Sequence, residues 1–136
     1  MADETLTGPG TPSIFIIDDS DEVRRALARV VRSAGLNAET FASAEAFLQR
    51  ESYAGTGCVM LDIRMPGMNG PDLHEQLAQL GFGLPVVFLT GYGDVPTSVK
   101  AMKDGAVDFL LKPVDDDVLL ATIARALARP GRRVIR

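Results

Sequence analysis

Cysteine is almost missing: Cys58 is the only one in 136 residues, which excludes an internal disulfide framework. Its place at the head of the apolar run 58–61 reads as a small buried hydrophobe and not as a reactive thiol. No apolar stretch approaches the roughly 20 residues of a membrane span. The Met1-Ala2-Asp3-Glu4 start lacks the basic and apolar regions of a signal peptide. A cytoplasmic location without membrane contact is therefore expected. Positive charge is also short, 14 Lys and Arg against 18 Asp and Glu, for a net charge of -4. A surface built to grip nucleic acid is not expected from such a balance, and the partners should be other proteins. With 46% hydrophobic content at this length, one globular domain with a sizeable core fits and a second does not.

Short β-branched runs alternate with stretches of helical spacing, and three of those runs end in charge. Asp18 and Asp19 follow Ile14-Phe15-Ile16-Ile17, Asp62 follows Val59-Met60-Leu61, and Lys112 follows Phe109-Leu110-Leu111. The pattern predicts strands over 13–18, 36–41, 58–62, 86–90 and 107–112. Between them, Val23, Leu27, Val30, Val31 and Ala34 mark the inward stripe of a first helix, with Ser20 as its N-cap and Gly35 as its stop. A short helix is expected over 44–49, and a third carrying Leu73, Leu77 and Leu80 inward. A fourth, from about Asp94 to Asp104, should turn Val95, Val99 and Met102 inward, and a fifth should span about 115–128, opened by Asp115-Asp116-Asp117 as a cap. Residues 1–12 read as a flexible leader, 13–129 as the domain, and 130–136 as a basic tail.

Alternating βα units imply right-handed crossovers and a parallel sheet covered by helices on both faces, a doubly wound α/β sandwich. In the flavodoxin-like strand order 2-1-3-4-5 the ligand crevice opens at the carboxyl ends of strands one and three. Those are the strands ending in Asp19 and Asp62. Carboxylates and a lysine gathered there make a site suited to a divalent cation and a phosphoryl group. Each residue also has a plainer reading. Asp18 and Asp19 could cap the first helix, Asp62 could be a turn residue, Lys112 could snorkel to solvent, and Phe109 could be ordinary core. Their joint placement favours the site. His74, without metal-ligand neighbours, reads as a surface residue.

Four segments carry a resemblance to the receiver domain of two-component response regulators, in its FixJ-like branch. They are Ile16-Ile17-Asp18-Asp19-Ser20, Leu61 to Gly70 (LDIRMPGMNG), Leu89-Thr90-Gly91-Tyr92-Gly93-Asp94, and Asp108-Phe109-Leu110-Leu111-Lys112-Pro113. The resemblance implies a CheY-like (βα)5 domain in which Asp62 takes a phosphoryl group from a sensor histidine kinase. It implies Mg²⁺ held by Asp18, Asp19, Asp62 and the backbone carbonyl of Arg64, with Lys112 and Thr90 meeting phosphoryl oxygens. Thr90 and Phe109 resemble the coupled pair that reshapes the face of helix four, strand five and helix five. That face could serve an output partner or a homodimer, with Met102, Val114, Val118, Leu119 and Leu120 as apolar surface. Arg64 and Tyr92 occupy positions that flank attacking water in the family, and Lys112-Pro113 resembles its cis-peptide site.

Such a protein is not a conventional enzyme; self-phosphorylation from a donor and autodephosphorylation are its only expected reactions. The alternatives are the amino-terminal half of a FixJ-like DNA-binding transcription regulator, a phospho-independent interaction module, and an aspartate-nucleophile phosphatase. The haloacid-dehalogenase type of phosphatase wants a second Asp two positions after the nucleophile, where this chain has Arg64.

Overall fold

The computed structural model describes residues 10–91 and 95–129. Most of the expected leader, Tyr92, Asp94 and the basic tail lie outside the described residues, as do the side chains of Val95 and Ser98. Five strands and five helices alternate: β1 (Ser13–Ile17), α1 (Asp21–Ser33), β2 (Asn37–Phe41), α2 (Ala44–Leu48), β3 (Gly57–Asp62), α3 (Gly70–Gln79), β4 (Val86–Thr90), α4 (Val95–Lys103), β5 (Asp108–Leu111) and α5 (Asp116–Ala128). The sheet is parallel throughout, in the order β2-β1-β3-β4-β5. This is the expected doubly wound arrangement, with the strand order reversing between β1 and β3.

The central strands are apolar on both faces because both faces are covered. Ile14, Ile16, Met60, Val87 and Leu89 pack with Leu27, Ala28 and Val31 of α1 and Leu119, Ile123 and Ala126 of α5. On the other face, Phe15, Ile17, Val59, Leu61 and Phe88 meet Phe47 of α2, Leu73 and Leu77 of α3 and Ala101 of α4. Each fully buried Ile, Leu or Phe contributes about 1.5–3 kcal/mol on transfer from water, so both faces of the sheet hold helices against it. Cys58 is buried in β3, and burial pushes its thiol up to about 12.

Local signals act where expected. Ser20 Oγ accepts the Val23 amide at the start of α1, and Gly35 ends that helix at φ +85°. Ser43, Asn69 and Asp115 cap α2, α3 and α5 in the same way. The described end of the expected leader is tied down, since the Pro12 carbonyl accepts the Asn37 amide at 3.1 Å. Lys112-Pro113 is cis.

Some expected inward residues face out. Leu80 is 67% exposed because α3 ends at Gln79 and Leu80 is only its cap. Val99 and Met102 are also exposed, since α4 buries Ala101 instead. Ala34, past the end of α1, is exposed as well, whereas Ala28 takes a place in the core. On the expected contact face Leu119 is core, while Val118 is exposed and Val114 and Leu120 are half-buried.

Candidate functional site

Parallel pairing brings the carboxyl ends of β1, β3, β4 and β5 to one edge of the sheet, and with them the charged residues that follow the apolar runs. Ile17 pairs with Leu61, Asp62 with Leu89, and Thr90 with Leu111. Asp18 is fully buried and Asp62 nearly so, while Asp19 is exposed at the mouth. The carboxylates of Asp18, Asp19 and Asp62 offer ligand oxygens within 4.8 Å of one another. Lys112 reaches across from the end of β5 and places Nζ 2.8 Å from Asp18 Oδ2 and 3.1 Å from Asp62 Oδ1. Its backbone amide donates to the Thr90 carbonyl at 2.8 Å, fastening the lysine-bearing turn to β4.

Asp18 is held from several sides. Its Oδ1 accepts the Ser20 amide at 2.9 Å, and its carbonyl accepts a guanidinium N–H of Arg24 at 2.7 Å. Oδ2 has the Lys112 ammonium beside it but no hydrogen bond of good angle. Asp18 and Asp62 therefore share one ammonium, with the Asp19 carboxylate close to both. The consequence shows in Asp62, whose carboxyl is pushed up to about 7. Burial is the main cause, followed by the charge of Asp18, with Lys112 pulling the other way. Burial alone would lower the Lys112 ammonium, but the two carboxylates beside it win and hold it above its ordinary value.

The donor set fits a hard divalent cation. All its side-chain atoms are carboxylate oxygens, their charge exceeds what Lys112 neutralises, and a buried oxygen lacks a hydrogen bond. Arg64 lies in the loop after β3 and, with Asp19, Met65, Gly67 and Thr97, lines a cavity of about 550 Å³ at the mouth. Thr90 is buried at the end of β4, where its hydroxyl donates to the Gly91 carbonyl at 3.1 Å. Phe109 is half-buried against the core face formed with α2, α3 and α4. A larger cavity of about 700 Å³ opens at the opposite, amino-terminal edge of the sheet among Phe47, Tyr53, Phe82 and Leu84. The carboxylate cluster and Lys112 are not part of its lining.

The sequence did not single out Arg24 or Glu45, and it placed His74 at the surface. Arg24, six positions past Asp18, braces its carbonyl. Glu45 of α2 accepts the Met68 amide in the loop after β3. His74, expected at the surface, is half-buried with its ring edge-on to Phe88 at 5.4 Å, and that burial lowers its pKa. Arg24 carries a helical-spacing signal through Asp21, whereas the other two are contacts between distant elements.

A parallel five-stranded sheet in this order, with an acidic cluster and a lysine at its carboxyl edge, is the architecture of the CheY-like class of domain. Residues 14–124 match the response regulator receiver domain family, and the chain belongs to that family. It is 47% identical over 114 residues to the response regulator protein TodT of Pseudomonas putida, covering 84% of this chain and 50% of TodT. The solved structure of the response regulator StyR superposes with a TM-score of 0.80 at 45% identity, covering 86% of this chain and 59% of StyR. FixJ-N superposes at 0.77 and 39% identity, covering 88% of this chain and 95% of that structure. The chain spans about half the length of the curated relatives it matches. It is a receiver domain of the two-component response regulator type, a family whose members interact with histidine kinases. Among the described residues no helix is long and apolar enough to cross a membrane.

Proposed function

We propose that Asp62 is the phosphoacceptor and that the domain receives its phosphoryl group from the phosphohistidine of a sensor kinase in the cytoplasm. The observation that carries this is the Lys112 ammonium set between Asp18 and Asp62, on a nearly buried carboxylate at the switch point of the sheet. An Asp62 oxygen attacks phosphorus, the P–N bond to the donor imidazole breaks, and the imidazole leaves with the bonding pair. Lys112 is poised to exchange its contact with Asp62 Oδ1 for one with a phosphoryl oxygen, keeping Asp18 as its second partner. Mg²⁺ would be held by Asp18, Asp19, Asp62 and the Arg64 carbonyl, and when bound it neutralises charge on the transferred group.

Thr90 and Phe109 form the switch in this reading. The Thr90 hydroxyl, now donating to Gly91, gains a phosphoryl oxygen as a stronger acceptor, and that difference between two states shifts their populations. The face it reshapes carries exposed Val99 and Met102 on α4, Leu111 on β5 and Val118 on α5. That apolar surface supports a homodimer or an output contact there, with no nucleic-acid contact from this chain. The alternative, in which the domain is the receiver half of a FixJ-like transcription regulator, is favoured by the half-length coverage of TodT and its relatives.

Intact-mass measurement after incubation with acetyl phosphate, with and without Mg²⁺, tests the central step. One phosphoryl group should add in the presence of Mg²⁺ and none in Asp62→Ala. Addition at the same rate in the variant would place the acceptor elsewhere.

A further inference from the structure

We infer that Glu45 is a positioning residue for the metal, latching the loop that follows Asp62 in the conformation that can bind it. The inference rests on the reading above that the Arg64 carbonyl in this loop is a magnesium ligand. The loop between β3 and α3, residues 63–69, is closed at its base by the Gly70 amide, which donates to the Ile63 carbonyl at 2.9 Å. Met65 is buried and Met68 packs against the core, so the loop has apolar anchors on its inner side. The Ile63 amide at its start donates to the Leu89 carbonyl of β4 at 3.0 Å, and near its far end the Met68 amide donates to Glu45 Oε2 at 3.0 Å across 23 residues of sequence.

The backbone is shaped for that carboxylate. Gly67 stands at φ +76°, and a Cβ there would sit 2.8 Å from Glu45 Oε2. A left-handed turn without a side chain thus lets the carboxylate close on the loop just where Met68 presents its N–H. The Met68 bond also holds the Glu45 carboxyl below its usual range, so it is charged at neutral pH and the hydrogen bond is charge-assisted. Gly67 and Met65 line the same mouth as Asp19 and Arg64. A carbonyl ligand on a loosely held loop must be ordered when the cation binds, and groups that hold ligands from outside commonly set metal affinity for that reason.

Isothermal titration of the full chain with Mg²⁺ alone, without any phosphoryl donor, tests this in the parent, Glu45→Ala and Glu45→Gln. Melting in EDTA checks that each is folded. Glu45→Ala should bind Mg²⁺ roughly three- to tenfold more weakly, below the span usual for fully buried supporting groups because this contact is exposed. Glu45→Gln keeps an acceptor oxygen for Met68 and should stay within about twofold of the parent. A Glu45→Ala protein that melts lower yet binds Mg²⁺ like the parent would make Glu45 merely structural and overturn the latch alone. A parent that binds no Mg²⁺ would overturn the metal reading itself, and the latch with it.

Discussion

The tension in this site resides in Asp62. Burial and the neighbouring Asp18 oppose its ionisation, and one lysine shared between two carboxylates does not compensate both. Replacing it by Asn keeps the shape, removes the like charge and leaves Lys112 its 2.8 Å contact with Asp18. In EDTA at pH 7.5, Asp62→Asn should therefore be more stable than the parent by about 1–2 kcal/mol, because relieving a poorly compensated buried charge stabilises a fold. With millimolar Mg²⁺ the order should narrow or reverse, since a cation that binds the native state raises the stability of the parent most. Urea unfolding of both proteins in each condition measures this. A variant less stable than the parent in EDTA would show that Lys112 already balances the cluster.

At the scale of elements, one side chain ties β2 to the turn after α2. Arg50, just past α2, donates from Nε and Nη2 along one edge of its guanidinium to the Glu39 carboxylate of β2, at 2.8 and 2.7 Å, and from Nη1 to the Glu51 carbonyl. The same group lies over the rings of Phe15 at 5.0 Å and Tyr53 at 5.5 Å. Lysine has neither the fork nor the plane for these contacts, so Arg50→Lys should cost about 1–2 kcal/mol in urea unfolding while leaving any phosphoryl addition from acetyl phosphate unchanged. A loss under half a kcal/mol would mean the pair is solvated and contributes little, as exposed pairs often do. This contact was invisible in the sequence because Glu39 and Arg50 are eleven residues apart on a strand and a turn, with no shared period. The strands themselves were legible, because buried parallel strands read as continuous apolar runs and each run stopped in a charge or turn. The site was legible for the same reason, since Asp18, Asp62 and Lys112 mark strand ends and parallel pairing brings strand ends together. Helix faces were less so. Helical period cannot tell that α4 would bury Ala101 and leave Val99 and Met102 outside, because that depends on how the helix lies on the sheet.

Across the whole molecule, two groups make stability depend on pH with opposite signs. Asp62, raised toward 7, binds its proton more tightly folded than unfolded, so its contribution is present at low pH and lost as pH rises from about 4 through 7. His74 is the reverse. Burial between α3 and Phe88 of β4 lowers its pKa, with Asp104 just past α4 the opposing charge and Lys100 of α4 paired to Asp104 at 2.8 Å. Glu75 and Asp72 of α3 line the same cleft. The unfolded chain then protonates His74 near its ordinary 6.5 while the folded one resists, so this contribution is present above pH 6.5 and lost as pH falls below it. His74→Phe keeps the aromatic edge on Phe88 and removes the proton site. On going from pH 7 to 5.5 the unfolding free energy should shift less toward instability in His74→Phe than in the parent, and this difference should survive in an Asp62→Asn background because neither group is among the causes of the other's shift. Parallel pH profiles of the parent and His74→Phe would mean that Asp104 offsets the burial of the imidazole in full, leaving Asp62 as the dominant pH-sensing group of the pair.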